Sequence, residues 1–281
     1  MRSKADIVDL LKRPLRETRA AYGRLTGPWR GLPSLLIIGT QKGGTTSLFN
    51  YLTEHPSVLA PVGKEVHYFD FHYGEGTNWY RGRFPYKHRL SRGTLTLDAS
   101  PYYMMHPMVP GRAAELLPAV RLIALLRNPV HRAFSHYQHE VRAGRERLSF
   151  EEALDREEER LDGEEERLSR NPAYYSWNHH RYSYVRRGVY LFQLRRWMQH
   201  FPRSQLLVLQ SELLFRDPPA AMATVYGFLG LVPHQLRRYK TFLPGNYDRA
   251  LPEALQARLS DYYEPHNREL YQWLGQEFDW S

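Results

Sequence analysis

At 281 residues, 42% of them apolar, the chain is long enough for one large α/β domain, or one domain with a small appendage. The absence of cysteine excludes a disulfide framework and thiolate metal sites. A net charge of +9 and a pI near 9.6 favour polyanionic ligands, but the basic residues are scattered among acids with no nucleic-acid-binding motif, so no nucleic-acid partner is expected. Aromatic residues make up 14% of the chain, which suggests stacking surfaces for a ring-bearing ligand. No apolar run reaches the roughly 18 residues of a membrane span, and no signal-peptide core is present. A cytoplasmic location is therefore expected, consistent with the lack of cysteine.

Residues 1–33 read as a basic N-terminal arm. Ile7, Leu10 and Leu11 have helical spacing, Pro14 interrupts them, and Gly27-Pro28 and Gly31-Leu32-Pro33 read as a linker. Residues 34–281 read as a single domain. Its first element is Leu35 to Ile38, an apolar run too short for a helix and ending at Gly39, as a buried parallel strand does. A glycine-rich turn follows, and a helix opens at Thr45. Such a turn brings backbone N–H groups up to a phosphate. Gly39, Gly44 and Thr46 fit a nucleotide-binding P-loop, but Thr45 stands at the lysine position and the lysine has moved forward to Lys42. No Mg²⁺-binding acid is evident nearby. Both departures count against the alternative reading, a nucleotide kinase or NTPase with a variant P-loop.

Gly39 to Leu48 resembles the 5′-phosphosulfate loop of sulfotransferases that use 3′-phosphoadenosine-5′-phosphosulfate. The resemblance implies a three-layer, P-loop-like α/β domain with a central parallel sheet flanked by helices. It also implies Lys42, Gly43, Gly44, Thr45, Thr46 and Ser47 as donor-binding residues, with no metal required and adenosine 3′,5′-bisphosphate as product.

Further along, Lys64-Glu65-Val66-His67-Tyr68-Phe69-Asp70 packs acid, base and aromatics into seven residues. In extended form Glu65, His67 and Phe69 share one face. Read alone, this is an amphipathic edge strand. The segment also resembles the heparan-sulfate-type sulfotransferases, in several of which the glutamate is the catalytic base. That role maps onto Glu65, with His67 as the alternative and Asp70 in a supporting position. Leu95 to Asp98 alternates like a strand. The acid in Asp98-Ala99-Ser100-Pro101-Tyr102 either orients the site or caps a turn.

Arg121 to Leu126 reads as a second buried strand. Asn128 suits an N-cap and Pro129 a first helical turn, which puts Arg127 at the carboxyl end of a strand, where open α/β sheets bind ligands. Arg127 and Ser135 resemble the 3′-phosphate grip of the same family. Residues 140–170 carry runs of glutamate with a thin apolar stripe of Phe150, Leu154 and Leu161, and read as a charged helical insertion with a solvated face. Asn178 to Tyr184 reads as a wall of the acceptor or nucleotide cleft; its two adjacent histidines do not make a metal site. Leu191 to Phe201 reads as an amphipathic helix, preceded by Tyr190, which the resemblance adds to the donor site. Gln205 to Gln210 reads as a strand, and a helix opens at Arg216-Asp217-Pro218. Phe242 to Arg249 stands where relatives carry a basic loop over the 3′-phosphate, with Arg249 as substitute. Leu255 to Leu274 reads as a final helix that Pro265 should kink or break. The expected reaction is sulfuryl transfer to a hydroxyl on a carbohydrate, lipid or small-molecule acceptor.

Overall fold

The computed structural model describes residues 18, 20–91, 93–240 and 250–280. Four parallel strands, β1 (Leu35–Gly39), β2 (Leu97–Ala99), β3 (Arg121–Leu126) and β4 (Leu206–Gln210), pair in the order β2-β1-β3-β4. Beyond a helical stretch over residues 20–26, the α-helices among the described residues are α1 (Thr45–Thr53), α2 (Thr77–Arg81), α3 (Val109–Leu116), α4 (Pro129–Arg142), α5 (Phe150–Asp155), α6 (Glu157–Leu161), α7 (Glu164–Arg170), α8 (Trp177–Arg181), α9 (Tyr190–Met198), α10 (Ser211–Arg216), α11 (Pro218–Leu229) and α12 (Glu253–Leu274).

Strand side chains alternate between the two faces, so each strand feeds two cores. Leu35, Ile37, Ile123 and Leu125 pack with Leu48, Tyr51 and Leu52 of α1 and with Met222 and Val225 of α11. Leu36, Ile38, Leu122 and Ala124 face the other way, onto Val109 of α3, Leu194 and Trp197 of α9 and Leu270 of α12. This is why the strands read as unbroken apolar runs. The expected three-layer α/β architecture is the one found.

The strand order fixes where a ligand can lie. From β1 the chain goes to its neighbour β2, then crosses back to β3 on the other side of β1. Successive connections diverge there, leaving a crevice beyond the carboxyl ends of β1 and β3. Residues 40–44 and Arg127-Asn128 are the turns that border it.

Three sequence expectations change. The Gly27 to Pro33 stretch is no free linker. Arg30 donates to the Phe84 carbonyl at 2.8 Å, lies over the Tyr86 ring at 4.3 Å, and Leu32 packs against the core. The helix expected around Leu10 lies outside the described residues. Second, of the kink or break expected at Pro265, the break does not occur: α12 runs on through it. A proline inside a helix costs about 3 kcal/mol. Leu259 and Tyr263 on one side of it and Leu270 on the other are buried, and each such side chain returns about 1.5–3 kcal/mol.

Third, the insertion is only partly a solvated face. Glu157, Leu161, Glu164 and Leu168 are all buried, at helical spacing. Glu157 accepts the backbone N–H groups of Val185 (2.6 Å) and Arg186 (2.8 Å). Glu164 accepts the hydroxyls of Tyr174 (2.9 Å) and Ser176. Carboxylates thus occupy positions that a hydropathy pattern assigns to solvent, because donors from elsewhere in the chain meet them there.

Candidate active site

The crevice opens into a cavity of about 930 Å³. Lys42, Arg127, Arg181 and Arg216 line it against two carboxylates, Glu65 and Glu212. Permanent cations therefore outnumber anions two to one, which suits an anionic ligand.

The phosphate-loop wall is built by close backbone contact. Gly44 caps α1 with φ of +91°, a left-handed conformation that favours glycine. A Cβ at Gly43 would lie 2.6 Å from the Leu125 carbonyl oxygen, so the turn can lie against β3 only as glycine. Ser211 at the start of α10 donates to the Gly43 carbonyl at 2.8 Å and props the turn from the β4 side. Thr45 and Thr46, the first two residues of α1, line the cavity, so the N-terminus of that helix borders it. Lys42 lines it too, at φ +70°. Ser47 is fully buried and does not line the cavity.

The opposite wall is the start of α4. Asn128 caps this helix, accepting from the N–H groups of Val130 (3.0 Å) and His131 (3.3 Å), as its sequence position predicts. Arg127, just before it, donates to the Lys42 carbonyl at 3.2 Å and so joins the two walls. Tyr190 is buried behind Arg127, donating to its carbonyl at 2.7 Å. Tyr190 thus props the site from outside the cavity. Ser135 faces the cavity one helical turn after His131 and one before His139. Burial lowers both histidines below the ordinary value; the neighbouring cations Arg127 and Lys42 respectively push the same way. Arg249 lies outside the described residues.

The third wall carries Glu65 and His67. No strand forms here. Both residues have positive φ, +62° and +53°. Glu65 and His67 meet, His67 Nε2 lying 3.5 Å from Glu65 Oε2. Phe69 instead turns into the core against Tyr80 and Tyr103. The extended, one-face expectation therefore fails: Glu65 and His67 come together because the left-handed residues curl the chain, and Phe69 leaves their side.

Electrostatics separates the two candidate bases. Burial tends to raise the half-exposed Glu65 carboxyl, but the His67 hydrogen bond and the Lys64 ammonium, 2.6 Å away, override it and hold it at about 2. Burial tends to lower His67, but Asp70, 2.7 Å from its Nδ1, and Glu65 override that and lift it to about 10. At neutral pH Glu65 is an available acceptor, whereas His67 is already protonated.

Among the described residues, Lys42, Glu65 and the pair of Arg127 and Ser135, three separate stretches of the chain, converge on one cavity that has a phosphate-loop helix at its end. A sulfotransferase domain model matches residues 32–259. The chain belongs to the sulfotransferase family. It is 32% identical to heparan sulfate glucosamine 3-O-sulfotransferase 6 of Mus musculus, over 91% of this chain and 76% of that protein. It is 29% identical to heparan sulfate glucosamine 3-O-sulfotransferase 5 of Homo sapiens, over 89% and 74%. A crystal structure of a sulfotransferase from Alicyclobacillus acidocaldarius matches at a TM-score of 0.67 and 30% identity, covering 89% of this chain and 99% of that one. This sulfotransferase is accordingly an enzyme that transfers a sulfuryl group to a hydroxyl.

Several lining residues escape a sequence reading. His131 and His139 flank the expected Ser135 at four-residue spacing, a stripe that the position of Ser135 could have flagged. Glu212, Phe215 and Arg216 follow β4, at the carboxyl edge where ligands bind. Both Glu212 oxygens are engaged, by the Asn128 amide at 2.8 Å and the Trp280 indole at 3.1 Å. His179 and His180 diverge. His179 is buried against the Tyr102 hydroxyl at 2.7 Å, while His180 lines the cavity. Arg187, fully buried, bonds Gln41 of the phosphate loop and the carbonyls of His179 (3.1 Å) and His180 (2.9 Å), linking the loop to α8. Among the described residues no helix is long and apolar enough to cross a membrane.

Proposed function

We propose that this sulfotransferase moves the sulfuryl group of 3′-phosphoadenosine-5′-phosphosulfate to a hydroxyl of a carbohydrate acceptor. The observation that carries the reading is the convergence of Lys42, Thr45, Thr46, Arg127, Ser135 and Glu65 on one cavity. The cavity fits the donor chemically. It has a glycine turn closed against β3 and a helix N-terminus for one phosphate, and a guanidinium and a hydroxyl on a second wall for another. The names of the 3-O-sulfotransferase relatives support a sugar hydroxyl as acceptor.

In this reading the backbone of Gly43 to Thr46 and the threonine hydroxyls hold the 5′-phosphosulfate, and Arg127 and Ser135 grip the 3′-phosphate. Glu65 takes the proton of the attacking hydroxyl. As the new oxygen–sulfur bond forms, the bond from sulfur to the phosphate oxygen breaks. Lys42 neutralises the negative charge that gathers on that leaving oxygen. His67, already cationic, keeps Glu65 ionised and turned toward the cavity. Positioning and charge stabilisation carry the reaction, as in phosphoryl transfer, and the reading assigns no step to a metal.

Thermal shifts with adenosine 3′,5′-bisphosphate, ATP–Mg²⁺ and an RNA duplex test the donor assignment. At 100 times its dissociation constant the bisphosphate should stabilise the protein by about 2.7 kcal/mol. A shift with ATP–Mg²⁺ and none with the bisphosphate means a kinase-type site; a shift with RNA alone means a nucleic-acid site. Incubation of labelled donor with saccharide, lipid and aromatic alcohol pools then identifies the acceptor, and label appearing only outside the saccharide pool overturns that part.

A further inference from the structure

Asp98 lies in β2, paired with Leu36 of β1, and is fully buried. A carboxylate there is costly unless its oxygens are bonded. Three hydroxyls bond it. Ser100 Oγ donates to Oδ1 at 2.8 Å, and the hydroxyls of Tyr103 (2.8 Å) and Tyr80 (3.0 Å) donate to Oδ2. Among the described residues its direct partners are hydroxyls rather than cations.

Two of these hydroxyls lead onward. Ser100 Oγ accepts the His67 backbone N–H at 3.1 Å. The Tyr103 hydroxyl accepts the N–H groups of Tyr68 (2.8 Å) and Phe69 (3.4 Å). Each hydroxyl has one proton, which it donates in its hydrogen bond to the carboxylate; the oxygen's lone pairs are then available to the amides. The acid fixes the direction of the whole relay. Its end is the stretch in which Glu65 and His67 both hold positive φ. Non-glycine residues keep such conformations only where the surroundings over-determine them. Three consecutive amides, those of His67, Tyr68 and Phe69, pinned by a buried acid supply that over-determination at His67, two positions from Glu65.

We propose that Asp98 is a positioning residue, which sets the placement of Glu65 and His67 through the hydroxyls of Ser100 and Tyr103. The proposal rests on the reading of Glu65 as base. Tyr80 supplies the control. Its hydroxyl bonds the same carboxylate oxygen as that of Tyr103 but accepts none of the three amides, and its ring stacks on Tyr68 with 4.3 Å between centroids, a contact phenylalanine keeps.

The experiment compares Tyr103→Phe and Asp98→Asn with Tyr80→Phe in the full chain. Three quantities are read: kcat at saturating donor and acceptor, the thermal shift with adenosine 3′,5′-bisphosphate, and the NMR titration of the His67 imidazole. Around that ring stand Glu65, Asp70, Phe71 and His180. Misplacement of a reacting group by about 1 Å costs up to about 10²-fold. Tyr103→Phe and Asp98→Asn should therefore lower kcat by about tenfold to 10²-fold and move the His67 titration down as its contact with Glu65 loosens. The bisphosphate shift should stay unchanged. Tyr80→Phe should resemble the wild type in all three. If the two tyrosine variants behave alike in kcat and titration, Asp98 merely stabilises the fold and the proposal is overturned. That pair decides the matter even where Asp98→Asn does not fold. If the titrations separate as expected while Glu65→Gln keeps full activity, the relay stands and the base assignment falls.

Discussion

The phosphate loop and the Lys64 to Asp70 segment do related work by different means. Both contain left-handed non-glycine residues. Lys42, Glu65 and His67 are the three such residues among those described, and they are the same three that sequence reasoning selects for catalysis. The loop is held by its neighbours in the chain: β1 before it, α1 after it, and glycines that allow contact with β3. The Glu65 segment has no regular element on either side. It is held by groups from residues 98–103, more than 30 positions away. A site can thus be fixed locally or by distant groups, and only the first kind has its backbone conformation written in the residues beside it.

The largest expected effect tests the distant kind. Glu65→Gln keeps size and hydrogen bonding but cannot take a proton, so turnover should fall by about 10² to 10⁴. Donor affinity should barely change. Retained turnover together with loss in His67→Asn would reassign the base to His67.

Lys42→Ala tests the loop. Removing one charge-stabilising donor commonly costs about 10² to 10³ in kcat. Measured at saturating donor, near-wild-type turnover would take Lys42 out of the mechanism. The two variants should also differ in kind, since Lys42→Ala alone should weaken adenosine 5′-phosphosulfate analogues as well.

A smaller effect lies at the second wall. Arg127→Ala should weaken adenosine 3′,5′-bisphosphate by about 2–3 kcal/mol, the scale of hydrogen bonds to charged groups, with Ser135→Ala costing less. Adenosine 5′-phosphate should lose far less in both. Calorimetry with the two nucleotides distinguishes a 3′-phosphate grip from a general loss of positive charge.

The most delicate comparison is pH. His67 and Lys64 hold Glu65 down at about 2, so the wild-type acid limb of kcat/KM should lie well below pH 4. His67→Asn removes a positive charge beside the carboxylate, which makes ionisation harder. The limb should move up toward the ordinary carboxyl value of 4.5, and the variant should lose activity at pH 4 to 5 where the wild type keeps it. An unmoved limb means that the titrating group is not Glu65.

Much of the nucleotide half could be read from residues alone. A four-residue apolar strand, a glycine turn and a helix start define the loop. The sequence Arg127-Asn128-Pro129 announces a strand end and a capped helix, because capping and proline placement are local physics. Ser47 and Tyr190 show the limit. Ser47 directly follows two cavity residues and Tyr190 bonds the Arg127 carbonyl, yet rotation about α1 and the burial of the Tyr190 ring place them behind the wall. The insertion shows another. Its glutamates look alike as a charge run, but Glu157 and Glu164 are drawn inward by amides and hydroxyls that only the folded chain supplies.

The amino-acid sequence by itself determined the strands, the phosphate loop, the capped helix after β3 and the identity of the residues able to hold phosphate or take a proton. These depend on side-chain period, backbone freedom and functional-group chemistry within a few residues. The tertiary structure decided which of them share a cavity, that Glu65 rather than His67 remains unprotonated, and that Asp98 meets the His67 amide through the Ser100 hydroxyl. Those outcomes depend on distances between groups far apart in the chain, and on burial, which changes the free energy of a charge by more than any local preference.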